Sequence, residues 1–223
     1  MKKANISGNV VRRLPRYIRT LNDLMRADVG RVSSAELGRL MGLTPSQIRQ
    51  DFSCFGEFGQ QGYGYNVELL HEQISGILGI GRDYSVIVVG IGNLGHALIE
   101  NFGFAMHGFH VVGAFDVARD LVGKEVGGIT IQSGSNMADF IRENHVDIAV
   151  LAVSHVTAPS VARILVDNGI KAIWNFTNVD LGLSGQEDVI VEDIHFSDSL
   201  LALSYYLTEK LDGEAAKADG GKA

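Results

Sequence analysis

The sequence has very few of the residues that build disulfides, metal clusters or membrane spans. Its 223 residues include one cysteine, Cys54, so the chain forms neither an intrachain disulfide nor a cysteine-rich zinc site. The longest apolar runs, such as VDIAVLAVS at 146–154, are far shorter than the roughly 20 residues that span a bilayer. The basic N-terminus is not followed by the apolar segment of a secretory signal. We therefore expect a cytoplasmic protein with no membrane partner and no bound metal.

A catalytic pattern is also missing. The seven histidines show no catalytic spacing, and an isolated histidine is more often a packing or surface residue. A nicotinamide dehydrogenase would also need a substrate-binding domain, for which the strand and helix pattern described below leaves no room. We expect no catalytic residues.

The charge is divided unequally along the chain. Residues 1–82 carry 11 Lys and Arg against 7 Asp and Glu, whereas residues 83–223 carry 8 against 19. A basic N-terminal part joined to an acidic remainder favours a polyanion as the partner of the N-terminal part alone. Ordinary solvated charge is the alternative.

The N-terminal part shows the pattern of short helices. Leu14, Ile18, Leu21 and Met25 form one apolar stripe at helical spacing. A second helix is expected over SSAELGRLM, from Ser34 as its cap to a stop at residue 42.

A third helix is predicted to begin at Thr44 as N-cap. Pro45 then occupies the first turn, and Gln47 completes a capping-box pattern. Its apolar positions share one face: Ile48, Phe52 and Phe55.

Two short helices joined through GLT indicate a helix-turn-helix. The segment EFGQQGYGYN at 57–66 predicts a hairpin, and a linking helix is expected over 66–79, so residues 1–82 are predicted to form a winged helix. An ordinary surface hairpin is the alternative. The predicted DNA-contacting residues lie on the first helix, the outer face of the third helix and the wing tip: Arg13, Arg16, Tyr17, Ser46, Gln47, Arg49, Gln50, Ser53, Gln60 and Gln61.

The segment SVIVVGIGNLG at 85–95 has the pattern of a buried strand followed by a glycine turn and a helix. Gly90 allows the tight turn, Gly92 lets the backbone approach a pyrophosphate, and Gly95 brings helix and strand together. Asp116, at the end of the next strand, is placed to accept hydrogen bonds from ribose hydroxyls and favours NAD over NADP, although Arg119 nearby leaves NADP open. The predicted cofactor site contains these residues with others: Gly90, Ile91, Gly92, Asn93, Leu94, Gly95, Asp116, Lys124, Phe102 and His195.

Strand and helix segments continue to alternate up to residue 193, which predicts a Rossmann-type, doubly wound parallel sheet over residues 83–196. One amphipathic helix is expected over residues 197–211, and residues 212–223 are expected to be a disordered tail. The predicted fold class is therefore α/β, with an N-terminal winged helix-turn-helix.

The sequence resembles the Rex family of redox-sensing transcriptional repressors. The matching stretches are LPRY at 14–17, RQDFSCFGEFGQQGYGYNV at 49–67, VGIGNLGHAL at 89–98, FDVARDLVGKEVGGI at 115–129 and LSYYL at 203–207. The resemblance implies a homodimer with a domain-swapped C-terminal helix and NAD(H) as the ligand. It also implies that double-stranded operator DNA is bound with NAD+ or at low NADH and released when NADH rises.

The sequence departs from the family at both expected sites. Family members usually have basic residues where this chain has Gln50, Gln60 and Gln61, and fewer phosphate contacts should weaken DNA binding. Around the expected nicotinamide pocket the departures are Phe102, where a tyrosine is common, Ser154, Thr177 and Asn178, and His195, where an aspartate is common. A Rex-like paralogue with a weakened or altered NADH response is therefore one alternative. A small nucleotide-binding or CoA-binding Rossmann enzyme is an alternative of another class, and a structural partner without either ligand is a third.

Overall fold

The computed structural model of the protein describes residues 6–55, 59–60 and 63–220, with the backbone alone at 59–60 and 215–220. The chain forms two compact units, of which the first ends at Arg82 and the second begins at Asp83. Of the predicted wing-tip residues, Gln61 and the side chain of Gln60 lie outside the described residues.

The first unit combines helices with a small antiparallel sheet whose strand order is β1-β3-β2. Its elements are α1 (Gly8–Arg26), β1 (Arg31–Val32), α2 (Ser34–Met41), α3 (Pro45–Ser53), β2 (Gly59–Gln60), β3 (Gly64–Asn66) and α4 (Val67–Leu78). The helix pair α2 and α3 is followed by the β2-β3 hairpin, which is the order of a winged helix.

Side-chain caps define where the helices of this unit begin. The hydroxyl of Thr44 accepts from the Gln47 amide and caps α3 as predicted, and the side chain of Asn66 caps α4 in the same way. The cap of α2 is Ser33 rather than Ser34, because the Ser33 hydroxyl accepts the Glu36 amide one turn later.

The buried face of α1 differs from the prediction. Tyr17 and Leu24 are buried beside Leu14 and Leu21, whereas Ile18 is only partly buried and Met25 is exposed. A tyrosine can be fully buried when its hydroxyl has a hydrogen-bond partner, and Tyr17 has one in Asp51. The helix is therefore rotated by about one residue from the stripe that the apolar spacing predicted.

The second unit contains a seven-stranded sheet with the order β10-β9-β8-β4-β5-β7-β6. Its strands are β4 (Tyr84–Val89), β5 (Phe109–Asp116), β6 (Glu125–Val126), β7 (Ile129–Ser133), β8 (Ile148–Leu151), β9 (Ala172–Asn175) and β10 (Ile190–Asp193). Its helices are α5 (Asn93–Asn101), α6 (Met137–Glu143), α7 (Ala158–Asp167) and α8 (Phe196–Gly220), with short 3₁₀ turns at Phe104–His107 and Gly134–Asn136. All neighbouring strands are parallel except β6 and β7.

The order of the strands reverses at β4, which lies between β5 and β8. In a doubly wound sheet, a ligand binds in the crevice outside the carboxyl ends of the strands at such a reversal. The glycine turn follows β4 directly, so the fold places it at this crevice.

The last helix is longer than predicted. α8 continues to Gly220, so residues 212–220 are helical where the sequence predicted a disordered tail. The segment EAAK at 214–217 consists of strong helix formers, which extend the helix that precedes them. No helix in the described part of the chain is long and apolar enough to cross a membrane.

Candidate nucleotide-binding and DNA-binding sites

The three glycines of the turn after β4 have different surroundings. Gly90 adopts a φ of +92°, and a Cβ there would lie 2.6 Å from the Ala152 carbonyl oxygen. A Cβ on Gly95 would overlap the carbonyl oxygen of Gly90, so α5 packs closely on the turn. A Cβ on Gly92 would meet no atom within 4 Å. Gly90 and Gly95 are thus required by the fold, and Gly92 borders open space.

Asp116 links the glycine turn to the end of β5. One carboxylate oxygen accepts from the Ile91 amide at 2.6 Å, and the other accepts from the Ala118 amide at 2.8 Å. The carboxylate is partly exposed, and each oxygen keeps a free lone pair for a further donor. Beside it, Asn93 and Leu94 begin α5, and the first amides of a helix lack partners within the helix. Backbone N–H groups and a carboxylate therefore lie where a pyrophosphate and a ribose would be bound.

A row of aromatic rings lies at another part of the same sheet edge. The Phe102 ring at the end of α5 is 5.0 Å from the Trp174 ring, which is 4.6 Å from the Phe176 ring. Phe176 in turn is 6.1 Å from Phe196, the first residue of α8. We call Phe102, Trp174, Phe176 and Phe196 the aromatic row.

The loop after β9 is organised by Asn175, whose side chain is almost completely buried. Its Nδ2 donates to the Val179 carbonyl and to the Asp193 carboxylate, at 3.0 and 2.7 Å. Its Oδ1 accepts from the backbone N–H and the hydroxyl of Thr177. These bonds fix the loop that carries Asn178, a residue with a φ of +59° whose Oδ1 lies 2.5 Å from Nδ1 of His195.

The structure brings most of the predicted cofactor residues together. Residues 90–95 and Asp116 form one cluster at the crevice. Phe102 begins the aromatic row and His195 precedes Phe196 at its other end, and no hydrogen bond or ring contact joins Phe102 to His195 within the described residues. The Lys124 side chain is exposed in the turn before β6 and forms no hydrogen bond or ion pair with the residues that the structure describes.

In the first unit, a buried carboxylate joins α1 to α3. Asp51 of α3 is 0% exposed and accepts from both Nε and Nη2 of Arg13, at 2.8 and 2.6 Å. The Tyr17 hydroxyl donates to Asp51 at 2.8 Å, and Nε2 of Gln47 donates to it at 2.9 Å. We call Arg13, Tyr17, Gln47 and Asp51 the Asp51 cluster.

The charges in the Asp51 cluster stabilise one another. Burial alone would raise the pKa of Asp51, but hydrogen bonds from Arg13, Gln47 and Tyr17 outweigh it, and the pKa lies below its ordinary value. Burial raises the pKa of Tyr17, and the hydrogen bond to Asp51 raises it further. The hydrogen bond to Asp51 also raises the pKa of Arg13. Asp51 is therefore an ionised carboxylate at neutral pH.

The Asp51 cluster corrects part of the predicted DNA surface. Tyr17 is completely buried, so the predicted contact between its side chain and DNA is wrong. Arg13 is 24% exposed and is paired with Asp51, so its guanidinium is committed within the unit. Gln47 does not close the predicted capping box, because its amide is bonded to Asp51 instead.

The remaining predicted residues of the two helices lie on the surface. On α3, Ser46, Arg49, Gln50 and Ser53 are exposed, and Arg49 donates to the Ser34 hydroxyl at 3.2 Å. On α1, Arg16 is exposed and donates to the Met41 carbonyl at the end of α2. The outer face of α3 therefore presents hydroxyl, amide and guanidinium groups, which are the groups that contact base edges and phosphates.

Three residues with a structural role in these sites were not predicted from the sequence: Asp51, Asn175 and Trp174. Asp51 lies three residues after Ile48 on the inward face of α3, and a carboxylate in an apolar stripe is a signal that a partner is buried with it. Asn175 ends a parallel strand, where polar side chains often serve a site. Trp174 carries no such signal. No group of three or more His, Cys, Asp or Glu side chains suited to a metal occurs among the described residues.

Known proteins resemble both units of the chain. Residues 5–53 match the family model described as "Putative DNA-binding protein N-terminus", and residues 81–179 match the model described as "CoA binding domain". The chain is 50% identical over 210 residues to the redox-sensing transcriptional repressor Rex of Caldicellulosiruptor saccharolyticus, which covers 94% of this chain and 95% of that protein. It is 49% identical over 203 residues to the Rex of Clostridium botulinum, with 91% and 96% covered.

Two solved structures of RSP, a Rex-family repressor, share the fold over almost the whole chain. RSP in complex with β-NAD+ and operator DNA has a TM-score of 0.86 and 44% identity, and the match covers 98% of this chain and 99% of that one. RSP in complex with β-NADH has a TM-score of 0.87 and 42% identity, with 96% and 100% covered. On this identity and coverage, the chain belongs to the Rex family of redox-sensing transcriptional repressors.

Proposed function

We propose that this chain is a transcriptional repressor that binds operator DNA through its first unit and NAD(H) through its second. It binds DNA with NAD+ or at low NADH and is released from DNA by NADH. The observation that carries the proposal is the combination of two features in one chain. The first unit is a winged helix whose third helix has an exposed polar face, and the second unit has a glycine turn with open space at Gly92.

On the ligand side, the adenosine and pyrophosphate half of NAD(H) is assigned to the glycine turn and Asp116. The Gly92 backbone has room for a close approach, and the first amides of α5 supply donors for the phosphates. The Asp116 carboxylate accepts from the ribose hydroxyls and would repel the 2′-phosphate of NADP. The exposed Lys124 side chain is assigned to the same ligand.

On the DNA side, the major groove is assigned to the outer face of α3. Ser46, Gln50 and Ser53 are exposed there with Arg49, and Gln47 lies partly exposed beside them. Arg16 of α1 is assigned to a phosphate, and the tip residues Gln60 and Gln61 to the minor groove or the backbone.

We infer that the working form is a homodimer. Leu200, Leu203, Leu207 and Leu211 of α8 are each more than half exposed, at helical spacing. Such an apolar face on a single chain is normally covered by a partner. A second copy whose α8 packs against this one would cover it.

The residues expected around the nicotinamide favour a variant of this function, in which the repressor responds to NADH weakly or in a different way. Phe102 has no hydroxyl to exchange a hydrogen bond with the cofactor, and His195 is engaged with Asn178. Distinguishing NAD+ from NADH then depends on the aromatic row and the loop fixed by Asn175.

We assign no enzymatic activity to the chain, and we place it in the cytoplasm, where NAD(H) and operator DNA meet. A CoA-binding Rossmann enzyme, the rival interpretation, would bind acyl-CoA or turn over a substrate and would leave no sequence-specific footprint on DNA.

Titration of DNA binding against NAD+ and NADH tests the proposal. Duplexes selected by the full-length protein from a random pool should bind tightly with NAD+ and dissociate on addition of NADH. CoA and acetyl-CoA, added at the same concentrations, should have no effect. Release by NADH comparable to release by NAD+ would support the altered response, and failure to select any sequence would contradict the function itself.

A further inference from the structure

The Asp51 cluster determines which way the Gln47 amide points. Nε2 of Gln47 donates to Oδ1 of Asp51 at 2.9 Å. If the amide turned over, its Oε1 would face a carboxylate oxygen, and two acceptors would meet without a proton between them. The orientation with Nε2 toward Asp51 is therefore strongly favoured.

Asp51 cannot move aside to relieve such a clash. Its carboxylate is bonded to two nitrogens of Arg13 and to the Tyr17 hydroxyl, and both of those residues belong to α1. The side chain is 0% exposed, so water cannot replace these donors. Asp51 is thus a fixed reference point for the side chain one turn before it on α3.

Gln47 lies in the first turn of α3, and residues at the start of a recognition helix contact base edges. Its side chain is partly exposed, and its Oε1 accepts no hydrogen bond from any residue that the structure describes. Toward DNA, Gln47 can therefore offer one acceptor and no more than one N–H.

We propose that Asp51 is a positioning residue that makes Gln47 favour a base whose exocyclic amino group lies in the major groove, adenine or cytosine, and disfavour guanine at one position of each half-site. In the major groove, adenine N6 and cytosine N4 donate a hydrogen bond that Oε1 of Gln47 can accept. Guanine presents only the acceptors N7 and O6, so it can accept the remaining N–H of Gln47 but leaves Oε1 facing a second acceptor. The proposal rests on the DNA-binding function proposed above.

Selection from a random duplex pool tests it with the full-length protein, Gln47→Met, Asp51→Asn and, as a matched control on the same helix, Gln50→Met. The wild type should disfavour guanine at one position on the order of tenfold, which is the discrimination expected of one good side-chain contact. Gln47→Met should lose that preference and retain the preferences elsewhere in the site. Gln50→Met should leave it unchanged and affect another position.

Asp51→Asn should weaken the discrimination against guanine, and it should do so at the same base position of the DNA site that Gln47→Met affects. An asparagine cannot accept all four donors, and its NH₂ allows the Gln47 amide to turn over. If Asp51→Asn fails to fold, as judged by amide hydrogen exchange, Gln47→Met still tests the base contact on which the proposal depends, because it leaves Asp51 its other three donors.

Two results would overturn the inference. One is that Gln47→Met discriminates against guanine as strongly as the wild type does. The other is that Asp51→Asn folds, loses affinity equally for all sequences and keeps the discrimination against guanine. A wild type that selects no sequence would instead overturn the proposed function, and the inference with it.

Discussion

Each unit contains an aspartate that accepts hydrogen bonds at the centre of its site, but the donors are of different kinds. Asp51 is buried and accepts from the side chains of three residues, two of which come from a different helix. Asp116 is partly exposed and accepts from two backbone N–H groups, of Ile91 and Ala118. The DNA-binding unit is thus organised by side chains, and the nucleotide-binding unit by its backbone.

The difference determines how each site responds to substitution. A site built from backbone groups depends on close approach, so it is sensitive where a side chain would add atoms. A site built from side chains is sensitive where a substitution removes one partner and leaves the others unpaired in a buried position.

Replacing the two aspartates by alanine should have unequal effects on stability. Asp51→Ala leaves Arg13 and Tyr17 without their acceptor and should lower the free energy of unfolding of the first unit by about 3 kcal/mol. Asp116→Ala should cost the second unit about 1 kcal/mol, because water can reach the two amides. Amide hydrogen exchange in the full chain reports each unit separately, and equal losses would contradict the contrast.

The stabilisation by Asp51 should disappear in acid. Its pKa is lowered in the folded state from the ordinary 3.8, so the stabilisation is complete above that pH and is lost as the pH falls through the lower, folded value. The difference in unfolding free energy between the wild type and Asp51→Asn should therefore shrink below pH 3.8. Denaturant unfolding at a series of pH values measures it. A difference that does not depend on pH would show that the charge of Asp51 is unimportant.

Alanine substitutions of Gly95 and Gly92 should have different effects on stability, although both should weaken dinucleotide binding. Gly95→Ala places a Cβ against the Gly90 carbonyl and should cost about 2 kcal/mol of stability as well as dinucleotide binding. Gly92→Ala has open space around the new methyl and should keep or slightly raise stability, by about 0.5 kcal/mol. It should nevertheless weaken NAD+ binding about tenfold, because the methyl occupies the path of the pyrophosphate. Thermal unfolding and calorimetric titration with NAD+ separate these outcomes.

The smallest effect is expected at the nicotinamide end. Phe102→Tyr adds a hydroxyl to a ring that is 42% exposed, so overall NAD+ affinity should change by less than about threefold. The ratio of NADH to NAD+ affinity should shift, because the hydroxyl can exchange hydrogen bonds with one redox state. ADP-ribose, which lacks nicotinamide, is the matched control and should bind both proteins equally. A change in ADP-ribose binding would mean that Phe102 acts on the whole crevice.

The same contrast explains which site could be predicted from the sequence. The glycine turn and Asp116 were predictable because backbone requirements leave a local pattern: three glycines at set spacing, after an apolar strand and before a helix. The parallel sheet, the Thr44 cap and the placement of the helix pair before a hairpin follow from equally local signals.

The Asp51 cluster was not predictable in this way. Asp51 meets Arg13 and Tyr17 across 38 and 34 residues of sequence, and no local pattern specifies that pairing. The same bond changes the register of α1, because it lets Tyr17 be buried in place of its apolar neighbour Ile18. Asn175 was missed for a related reason, since one of its partners, Asp193, lies on the next strand.

The first residue of α8 contributes a ring to the aromatic row, and the rest of that helix presents its leucines outward. With 25 residues at 1.5 Å each, α8 is a rod of roughly 37 Å. A tilt of about 5° at Phe196 would move its far end by about 3 Å, more than the radius of the helix backbone. In mechanical terms α8 is a lever, whose short arm is the Phe196 ring in the aromatic row and whose long arm carries the exposed leucines that a second copy would cover.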